Sequence, residues 1–487
     1  MKRIMNIGSR LQLSGFRLWW QGFRLPASGF RSGAMKYFMK VLLLTIFYFS
    51  FQLAQGQSGV LENYISEGLK NNLQLQQEAL NVEKSFSGLS QSRSLFLPQV
   101  SANSSYTLAN GGRTITIPVG DLMNPVYSTL NQLTGTNNFP QIENSTTQFL
   151  PNNFHDTKLR VIQPLFNSDI YYGYKAQKEL ITVQQAKKNA YENELRYSIT
   201  SSYFQFLQSE EAIQVLESTK KFLGELVQLN GKLVANNKVT RDVLLSSEYE
   251  LSKIEQQLAE AEKNNQTAKA YFNFLLNRDW SEQILKDSVL VAGLSPDERI
   301  DEQTKQAWAN RQEIKQLEGA ARANDVLIGM ANGNKYLPKL SAVADLGYQG
   351  FQYKFNSEQQ YALVQFNFTW DLFHGGEKKS KARQSQLDQQ LLENRLSQTK
   401  KQIELEVIQA NQELKAAEKS FLASQAGVRS AERAFLIVNS KYREGQALLI
   451  ELLDAQNKLM MAKLSLSVVR YEVLRREAGL MKAVAGV

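Results

Sequence analysis

The stretch SKYREGQALLIELLDAQNKLMMAKLS, residues 440–465, predicts a tight turn between two long helices. Upstream of it, apolar residues recur at alternating three- and four-residue steps. This spacing is typical of a narrow coiled-coil seam and not of the wide apolar face of a helix on a globular core. The members of this seam are Ile403, Val407, Ala410, Leu414, Ala417, Phe421, Val428, Ala431, Phe435, Val438 and Tyr442, and only Ser424 interrupts it. Gly445 is suited to ending the helix, because glycine adopts the left-handed conformation at little cost. A second seam begins at Ile450.

The same hairpin occurs earlier in the chain. A shift of 209 residues (441 minus 232) places KLVANNKVTRDVLLSSEYELSKIE, residues 232–255, over residues 441–464. Asn236 then falls on Gly445, and Asp242 falls on Glu451. Asparagine tolerates the left-handed conformation better than most other residues, so the first hairpin has its own turn residue. The chain is therefore predicted to be a tandem duplication.

The net charge of +9 comes almost entirely from the N-terminal region. No acidic residue precedes Glu62, whereas eight Lys and Arg residues do, so the remainder has 48 basic and 47 acidic residues. This balance argues against nucleic-acid binding. The basic segment 35–40, the apolar run 41–51 and the small residues near Gly56 predict a signal peptide. The alternative, a membrane anchor, requires about 20 apolar residues, and this run is well short of that.

The composition contains few groups that carry chemistry. There is no cysteine, which excludes disulfides, thiolate metal sites and cysteine nucleophiles. His155 and His374 are the only histidines, and both fall at predicted strand ends without a second ligand type at metal spacing, so we expect surface or loop positions. No nucleophile–base pair or phosphate-binding loop is visible. We therefore expect neither an enzyme nor a cofactor or metal site.

The order of elements is the same in both halves. A helix over about 61–96 ends at Leu97-Pro98, and a helix from about 311 ends at Leu337-Pro338. Alternating apolar and polar residues then predict two strands in each half, over 100–108 and 156–166 and then over 340–348 and 364–370. Residues 109–155 are rich in Gly, Asn, Thr and Pro and predict a long loop, whose counterpart near 351–360 is much shorter.

The lengths of the helices indicate a hollow coiled-coil cylinder. The uninterrupted patterns over 169–235 and 376–444 predict two helices of about 100 Å each. The shorter helices, placed end to end in pairs, reach a similar total and are expected to lie beside the long ones. Four strands cannot close a membrane barrel, and open strand edges are not tolerated in lipid. Three copies of the chain would supply twelve strands.

These motifs resemble the TolC-like outer membrane efflux proteins. The matching segments are YREG at 442–445, IELLDAQNKL at 450–459, NNKVTRDVLL at 236–245, FLPQVS at 96–101, YLPKLS at 336–341 and WDLFHGG at 370–376. The resemblance covers about Leu61 to Leu480. It implies a homotrimer in the outer membrane of a Gram-negative bacterium, with a twelve-stranded β-barrel in the lipid and an α-helical tunnel in the periplasm. It also implies an exit duct for an inner-membrane transporter and its periplasmic adaptor, in efflux or type I secretion.

This resemblance, with the pattern above, predicts the organisation of the chain. Residues 1–56 are expected to be an upstream extension and signal peptide that are removed. The tunnel is expected to comprise residues 57–96, 169–280, 311–336 and 376–487, the barrel strands and outer loops residues 97–168 and 337–375, and short equatorial helices residues 281–310. The long loop 109–155 is expected to partly cover the outer mouth of the pore.

The resemblance also assigns roles at the hairpin turns. Asp242, Glu451 and Asp454 align with acidic residues that narrow the periplasmic mouth, and Tyr442 aligns with a gate tyrosine. The turn residues Asn236, Asn237, Gly445 and Gln446 are the expected adaptor contact. An arginine that members of the family can carry is Ala447 here, which leaves Arg241 and Arg443 as substitutes for a latch.

Simpler roles remain open for these residues. The carboxylates also suit the start of a helix, where the helix dipole favours negative charge by about 0.3–1 kcal/mol each. Tyr442 lies on the seam and also suits a core position. For the whole chain, the rival hypotheses are an exported coiled-coil tether and an exported enzyme. The tether leaves the four strands and the Leu-Pro junctions unexplained, and the enzyme lacks a catalytic constellation.

Overall fold

The computed structural model describes residues 59–287 and 299–485. Within them the helices are α1 (Gly59–Asn71), α2 (Leu73–Ser94), α3 (Val119–Thr134), α4 (Ser168–Ala235), α5 (Arg241–Leu275), α6 (Ile300–Asn310), α7 (Gln312–Tyr336), α8 (Glu377–Arg443) and α9 (Leu449–Val484). The strands are β1 (Gln99–Thr107), β2 (Thr114–Ile117), β3 (Ser145–Gln148), β4 (Phe154–Phe166), β5 (Lys339–Phe351) and β6 (Gln360–Thr369). The predicted extension and signal peptide, residues 1–56, lie outside the described residues.

The two longest helices confirm the predicted seams. α4 has 68 residues and α8 has 67, so each is about 100 Å long. Neither contains proline, which would remove a backbone hydrogen bond and kink the helix. The seam residues Ile199 of α4 and Val407 and Leu414 of α8 are fully buried. Ile450 departs from the pattern, because it lies in the first turn of α9 and is 68% exposed, while Leu452 takes the buried position.

The shorter helices lie end to end beside the long ones, as predicted. α2 and α5 both contact α4, and α7 and α9 both contact α8. At the first junction, Nδ2 of Asn72 donates to the carbonyl oxygen of Leu275 at 3.0 Å, so α2 begins where α5 ends. At the second, Nη1 of Arg311 donates to the carbonyl oxygen of Ala483 at 3.2 Å, so α7 begins where α9 ends. We call these two contacts the helix splices.

The prediction of one helix over 61–96 is wrong at Asn72. This residue has an extended conformation, and its Oδ1 accepts a hydrogen bond from the backbone N–H of Leu75 at 3.0 Å. An asparagine side chain that bonds nearby backbone favours a helix start over a helix interior. The segment is therefore two helices, with Asn72 as the N-cap of α2.

A four-stranded antiparallel sheet has the order β1-β4-β5-β6, so β1 and β6 are its edges. One row across the sheet consists of Ala102, Leu159, Leu346 and Ala362. The next row, on the opposite face, consists of Ser101, Arg160, Asp345 and Leu363. The predicted alternation is confirmed: the first row belongs to the apolar sheet face, and the second to a face on which charged residues pair with each other.

The prediction that residues 109–155 form one long loop is wrong. β2 and β3 pair in an antiparallel hairpin, and the 16-residue α3 lies between them. The sequence hides these elements, because four-residue strands are too short to show alternation and α3 contains Pro125, a residue that normally ends a helix. We call residues 113–150 the insertion.

His155 does not lie on the surface as expected. It is fully buried, and its Nε2 lies 3.0 Å from the carbonyl oxygen of Lys354 and 2.9 Å from Oε1 of Gln359. The rings of Tyr353 and Phe355 cover it, because the connection after β5 folds back over β4. His374 is exposed, as predicted.

The segment 281–310, predicted to form short helices, has one helix among its described residues. Residues 281–287 are irregular, and α6 begins at Ile300. In the ranges 59–287 and 299–485, no helix is both long enough and apolar enough to span a bilayer.

Candidate functional site

The candidate site lies where the two hairpins turn. α4 is joined to α5 by residues 236–240, and α8 is joined to α9 by residues 444–448. One apolar cluster contains Leu226 of α4, Ile254 of α5 and Leu453 of α9, with Phe435 of α8 packed against it. Since all four helices share this cluster, both turns lie at the same end of the molecule.

The turn geometry corrects the alignment between the two repeats. The left-handed residue of the first turn is Asn237, with φ of 54°, whereas Asn236 has φ of −96°. Gly445, with φ of 74°, occupies the same place in the second turn. The residue after each donates its backbone N–H back to the helix at 2.8 Å, Lys238 to Leu233 and Gln446 to Lys441. The repeats therefore match at an offset of 208 (445 minus 237) here.

This shift separates two residues that the sequence places together. α5 begins at Arg241 and α9 begins at Leu449, again 208 apart (449 minus 241). Asp242 therefore aligns with Ile450 and not with Glu451. Asp242 is the second residue of its helix, and Glu451 is the third of its own. The two carboxylates lie near the same end of the molecule but are not repeat equivalents.

Glu451 and Asp454 are both exposed, and each has a local partner. Oε2 of Glu451 accepts a hydrogen bond from the backbone N–H of Leu448 at 3.0 Å, which satisfies an open donor at the start of α9. The Leu448 side chain has no acceptor, so only this half of a capping box can form. Oδ2 of Asp454 lies 2.6 Å from Nζ of Lys458, one turn along. Exposed pairs of this kind contribute roughly 0.3–0.5 kcal/mol and leave the carboxylate accessible to ions.

Tyr442 links the two hairpins through a buried polar chain. Its hydroxyl donates to Oδ1 of Asn230 at 2.7 Å, and Nδ2 of Asn230 donates to Oγ of Ser247 at 2.7 Å. The Ser247 hydroxyl donates in turn to the carbonyl oxygen of Val243 at 2.9 Å. Asn230 and Ser247 are fully buried. Burial raises the pKa of the Tyr442 phenol, so the hydroxyl keeps its proton and remains a donor at neutral pH.

Sequence reasoning singled out Tyr442 but missed Asn230 and Ser247. The available signal was a polar residue at a seam position: Asn230 follows Leu223 and Leu226 of α4 at helical spacing and is buried like them. A polar residue in an apolar seam requires a buried hydrogen-bonding partner. Which residue is the partner of Asn230 could not be read from the sequence, because Tyr442 lies 212 residues away.

The remaining predicted residues are at the tips of the turns. Asn236, Asn237, Gly445 and Gln446 are exposed, and Nδ2 of Asn236 donates to the carbonyl oxygen of Lys232 at 2.8 Å. Among the residues that the structure describes, no three His, Cys, Asp or Glu side chains are close enough to hold a metal ion.

Arg241 and Arg443, named above as latch substitutes, lie beside the two turns, at the start of α5 and the end of α8. Within the described residues of the single chain, no ion pair involves Arg241 or Arg443, and both are exposed. The two hairpins are instead joined near this end by neutral contacts, which include the Tyr442–Asn230 hydrogen bond and the packing of Phe222 against Phe435.

Comparisons with known proteins agree on the same class of fold. Residues 304–486 match the profile of the family described as Outer membrane efflux protein. A comparison with curated protein sequences gives no significant match. Several solved structures of outer-membrane channels resemble the chain at low sequence identity.

Three of these structures cover most of the chain. CmeC of Campylobacter jejuni has a TM-score of 0.71 at 16% identity, and the alignment covers 88% of this chain and 86% of the CmeC chain. OprN has a TM-score of 0.70 at 15% identity, covering 88% and 90%. MtrE of Neisseria gonorrhoeae has a TM-score of 0.67 at 18% identity, covering 87% and 88%. Residues 304–486 thus match the outer membrane efflux protein family, and the chain has the fold of the outer-membrane channels over most of its length.

Proposed function

We propose that this protein is the exit duct of a tripartite efflux or type I secretion system. In this role it passes substrates from an inner-membrane transporter and a periplasmic adaptor through the outer membrane of a Gram-negative bacterium. The observation that carries the proposal is the four-stranded sheet with two open edges, β1 and β6, joined to helices of about 100 Å. The role is transport, without catalysis or a bound cofactor.

The open edges are the reason to propose a homotrimer. Unpaired strand edges cannot remain in lipid, because their backbone groups have no hydrogen-bonding partner there. If β6 of one copy pairs with β1 of the next, three copies close a barrel of twelve strands. Such a barrel is within the size range of outer-membrane barrels.

The two faces of the sheet suit lipid on one side and water on the other. On the apolar sheet face, Leu159 and Leu346 are adjacent and exposed in the single chain. On the other face, Nε and Nη2 of Arg160 donate to the two carboxylate oxygens of Asp345 at 2.8 and 2.7 Å. We assign the first face to the outer-membrane lipid and the second to the pore. The barrel then comprises residues 97–168 and 337–375, and the helical segments on either side of them form the periplasmic tunnel.

The hairpin turns are proposed to form the narrow periplasmic end of this tunnel. In a trimer, Asp242, Glu451 and Asp454 would form rings of carboxylates around one axis, and such rings select cations. Glu451 and Asp454 are three residues apart and therefore share one side of α9. The Tyr442–Asn230 bond would hold the second hairpin against the first in the closed state. Capping of α9 by Glu451 is compatible with this role, because only one of its oxygens accepts the backbone bond.

The exposed turn residues are proposed to contact the adaptor. Asn236, Asn237, Gly445 and Gln446 lie at the end of the molecule farthest along the long helices from the sheet. They carry no charge, so a partner would bind them through backbone and amide hydrogen bonds. An adaptor that presents complementary polar groups at its own tip fits this surface.

Three measurements test the proposal together. Native mass spectrometry in mild detergent should give a homotrimer, and the same preparation should form cation-selective pores in planar bilayers. Fractionation should place the protein in the outer membrane, with heat-modifiable migration in gels. A stable monomer, or a soluble periplasmic pool without pore activity, would favour the coiled-coil tether and refute the duct.

A further inference from the structure

The insertion contains an amphipathic helix whose apolar side is largely exposed within the part of the chain that the structure describes. Six apolar residues recur at helical spacing along one side of α3: Val119, Leu122, Met123, Val126, Leu130 and Leu133. Leu133 is 79% exposed and Leu122 is 69% exposed. An exposed apolar stripe of four helical turns is unusual in a monomer and indicates an interaction surface.

The opposite side of α3 is held firmly by its own connection. Nδ2 of Asn124 donates to the carbonyl oxygen of Ile142 at 3.0 Å, and Oδ1 of Asn124 accepts the backbone N–H of Ile142 at 2.9 Å. Asn131 makes the same reciprocal pair with Phe139, at 2.8 and 3.1 Å. A Cβ on Gly120 would come within 2.5 Å of the Ile142 carbonyl oxygen, so only glycine permits this approach. These contacts fix the orientation of α3, and its apolar side is presented as a preformed surface.

The charges of the insertion favour a protein partner over a membrane surface. Residues 113–150 contain one basic residue, Arg113, and two acidic residues, Asp121 and Glu143. Helices that lie on membranes have Lys and Arg along their polar side, and α3 has none. Asp121, the single charged residue of α3, lies on the polar side and its Oδ2 accepts from Nδ2 of Asn144 at 3.0 Å. Because the apolar side carries no charge, copies of it can meet without electrostatic repulsion.

The position of the insertion brings copies of it within reach of each other. β1, an edge strand of the sheet, ends at Thr107, and β2 begins at Thr114. Twelve strands about 4.8 Å apart and tilted by about 40° enclose a barrel with a radius of roughly 12 Å. α3 is about 24 Å long, which exceeds that radius. An insertion at the barrel rim can therefore reach the pore axis.

We propose that the apolar sides of three α3 helices, one from each copy of the chain, pack against one another across the outer mouth of the pore. This inference rests on the proposed trimeric duct. In this arrangement, the apolar side of each α3 is covered by α3 of another copy of the chain. The mouth then has an apolar constriction of its own, distinct from the carboxylates at the periplasmic end.

Cysteine cross-linking tests this packing directly, because the chain has no native cysteine. Val126→Cys places a thiol at the centre of the apolar side, and Ser128→Cys places one on the opposite side of the same helix. Mild oxidation of the trimer in membranes should cross-link Val126→Cys to disulfide-bonded dimers at least tenfold more than Ser128→Cys, and reductant should reverse this. Equal yields for the two variants would overturn the proposal.

Two further measurements separate this inference from the proposed function. A variant lacking residues 112–150 should remain trimeric by native mass spectrometry, because the four-stranded sheet and every helix other than α3 are untouched, and its single-channel conductance should exceed that of the full chain. Trimers with unchanged conductance after the deletion would overturn the apolar constriction and leave the duct intact. Quenching of a fluorophore on Val126→Cys by spin-labelled lipid, without cross-links, would place α3 in the membrane and also overturn it. Loss of the trimer in the full chain would instead refute the duct.

Discussion

Replacing Tyr442 with phenylalanine should bias the tunnel toward its open state. The change removes the hydroxyl that donates to Oδ1 of Asn230 at 2.7 Å, and Asn230 is fully buried. A buried acceptor left without a partner costs about 1–3 kcal/mol. If the hairpins separate on opening, water reaches Asn230 and only the closed state bears this cost. A change of that size shifts the opening equilibrium by about 5- to 150-fold.

Single-channel recording in planar bilayers measures this shift as the open fraction of purified trimers. Tyr249→Phe is the matched control, because Tyr249 lies on hairpin helix α5 but is 68% exposed, and it should leave the open fraction unchanged. The double variant Tyr442→Phe/Asn230→Leu should show a smaller shift than Tyr442→Phe alone, since the unpaired Asn230 oxygen is removed and the Ser247 hydroxyl keeps its hydrogen bond to the carbonyl oxygen of Val243. An open fraction for Tyr442→Phe equal to that of the wild type, in intact trimers, would refute a role of the Tyr442–Asn230 hydrogen bond in holding the tunnel closed.

Three further predictions concern the tips and the helical core. Replacing both Glu451 and Asp454 by alanine should abolish block of the pore by a trivalent cation. Asp242→Ala should weaken the block less, because only one carboxylate ring is lost, and unchanged block in the double variant would contradict a constriction role. Gly445→Val should lower the free energy of unfolding by about 1–2 kcal/mol in urea titrations, because φ at this position is 74°. Gly445→Asn should lower it clearly less, since asparagine tolerates the left-handed conformation, and equal losses for the two variants would contradict a conformational cause. Burial raises the pKa of Tyr203 to about 12, above its usual value of about 10. The neutral phenol therefore contributes about 2–3 kcal/mol to the free energy of unfolding below pH 10, and this contribution is lost as the pH rises toward 12. Tyr203→Phe should reduce this alkaline loss of stability in circular-dichroism melts, and identical pH profiles for the two proteins would count against it.

The long helices could be predicted from the sequence because each repeats one signal many times. A seam of more than sixty residues without proline tolerates individual exceptions, and Val407 and Leu414 are buried as the pattern requires. The strands were predictable for a related reason: the two faces of the sheet have different surroundings, so apolar and polar residues alternate along each strand. The sequence did not predict the pairing order: the structure shows that the two halves meet through the pair β4-β5.

Single residues with distant partners could not be placed in the same way. Asn72 ends a helix because its side chain bonds to Leu75 and to Leu275, the latter 203 residues away. The buried Asn230 depends on Tyr442 in the other half of the chain. The turn register failed for a local reason: Asn236 and Asn237 are adjacent and equally suited to a left-handed cap, and only the backbone shows that Asn237 adopts it.

The helix splices have a mechanical consequence for the wall of the molecule. α4 and α8 are continuous, whereas the helices beside them are interrupted at Asn72 and at Arg311. Each interruption transmits little tension, because a few side-chain hydrogen bonds replace a covalent backbone. α5 and α9 can therefore tilt about their splices while α2 and α7, which lead directly into the sheet, stay in place. Each joint also has an ion pair beside it, between Arg278 and Glu67 at the first and between Arg311 and the carboxylates of Glu313 and Glu406 at the second. Because both arginines are largely buried and salt screens buried pairs weakly, the joints should keep the same compliance at high ionic strength.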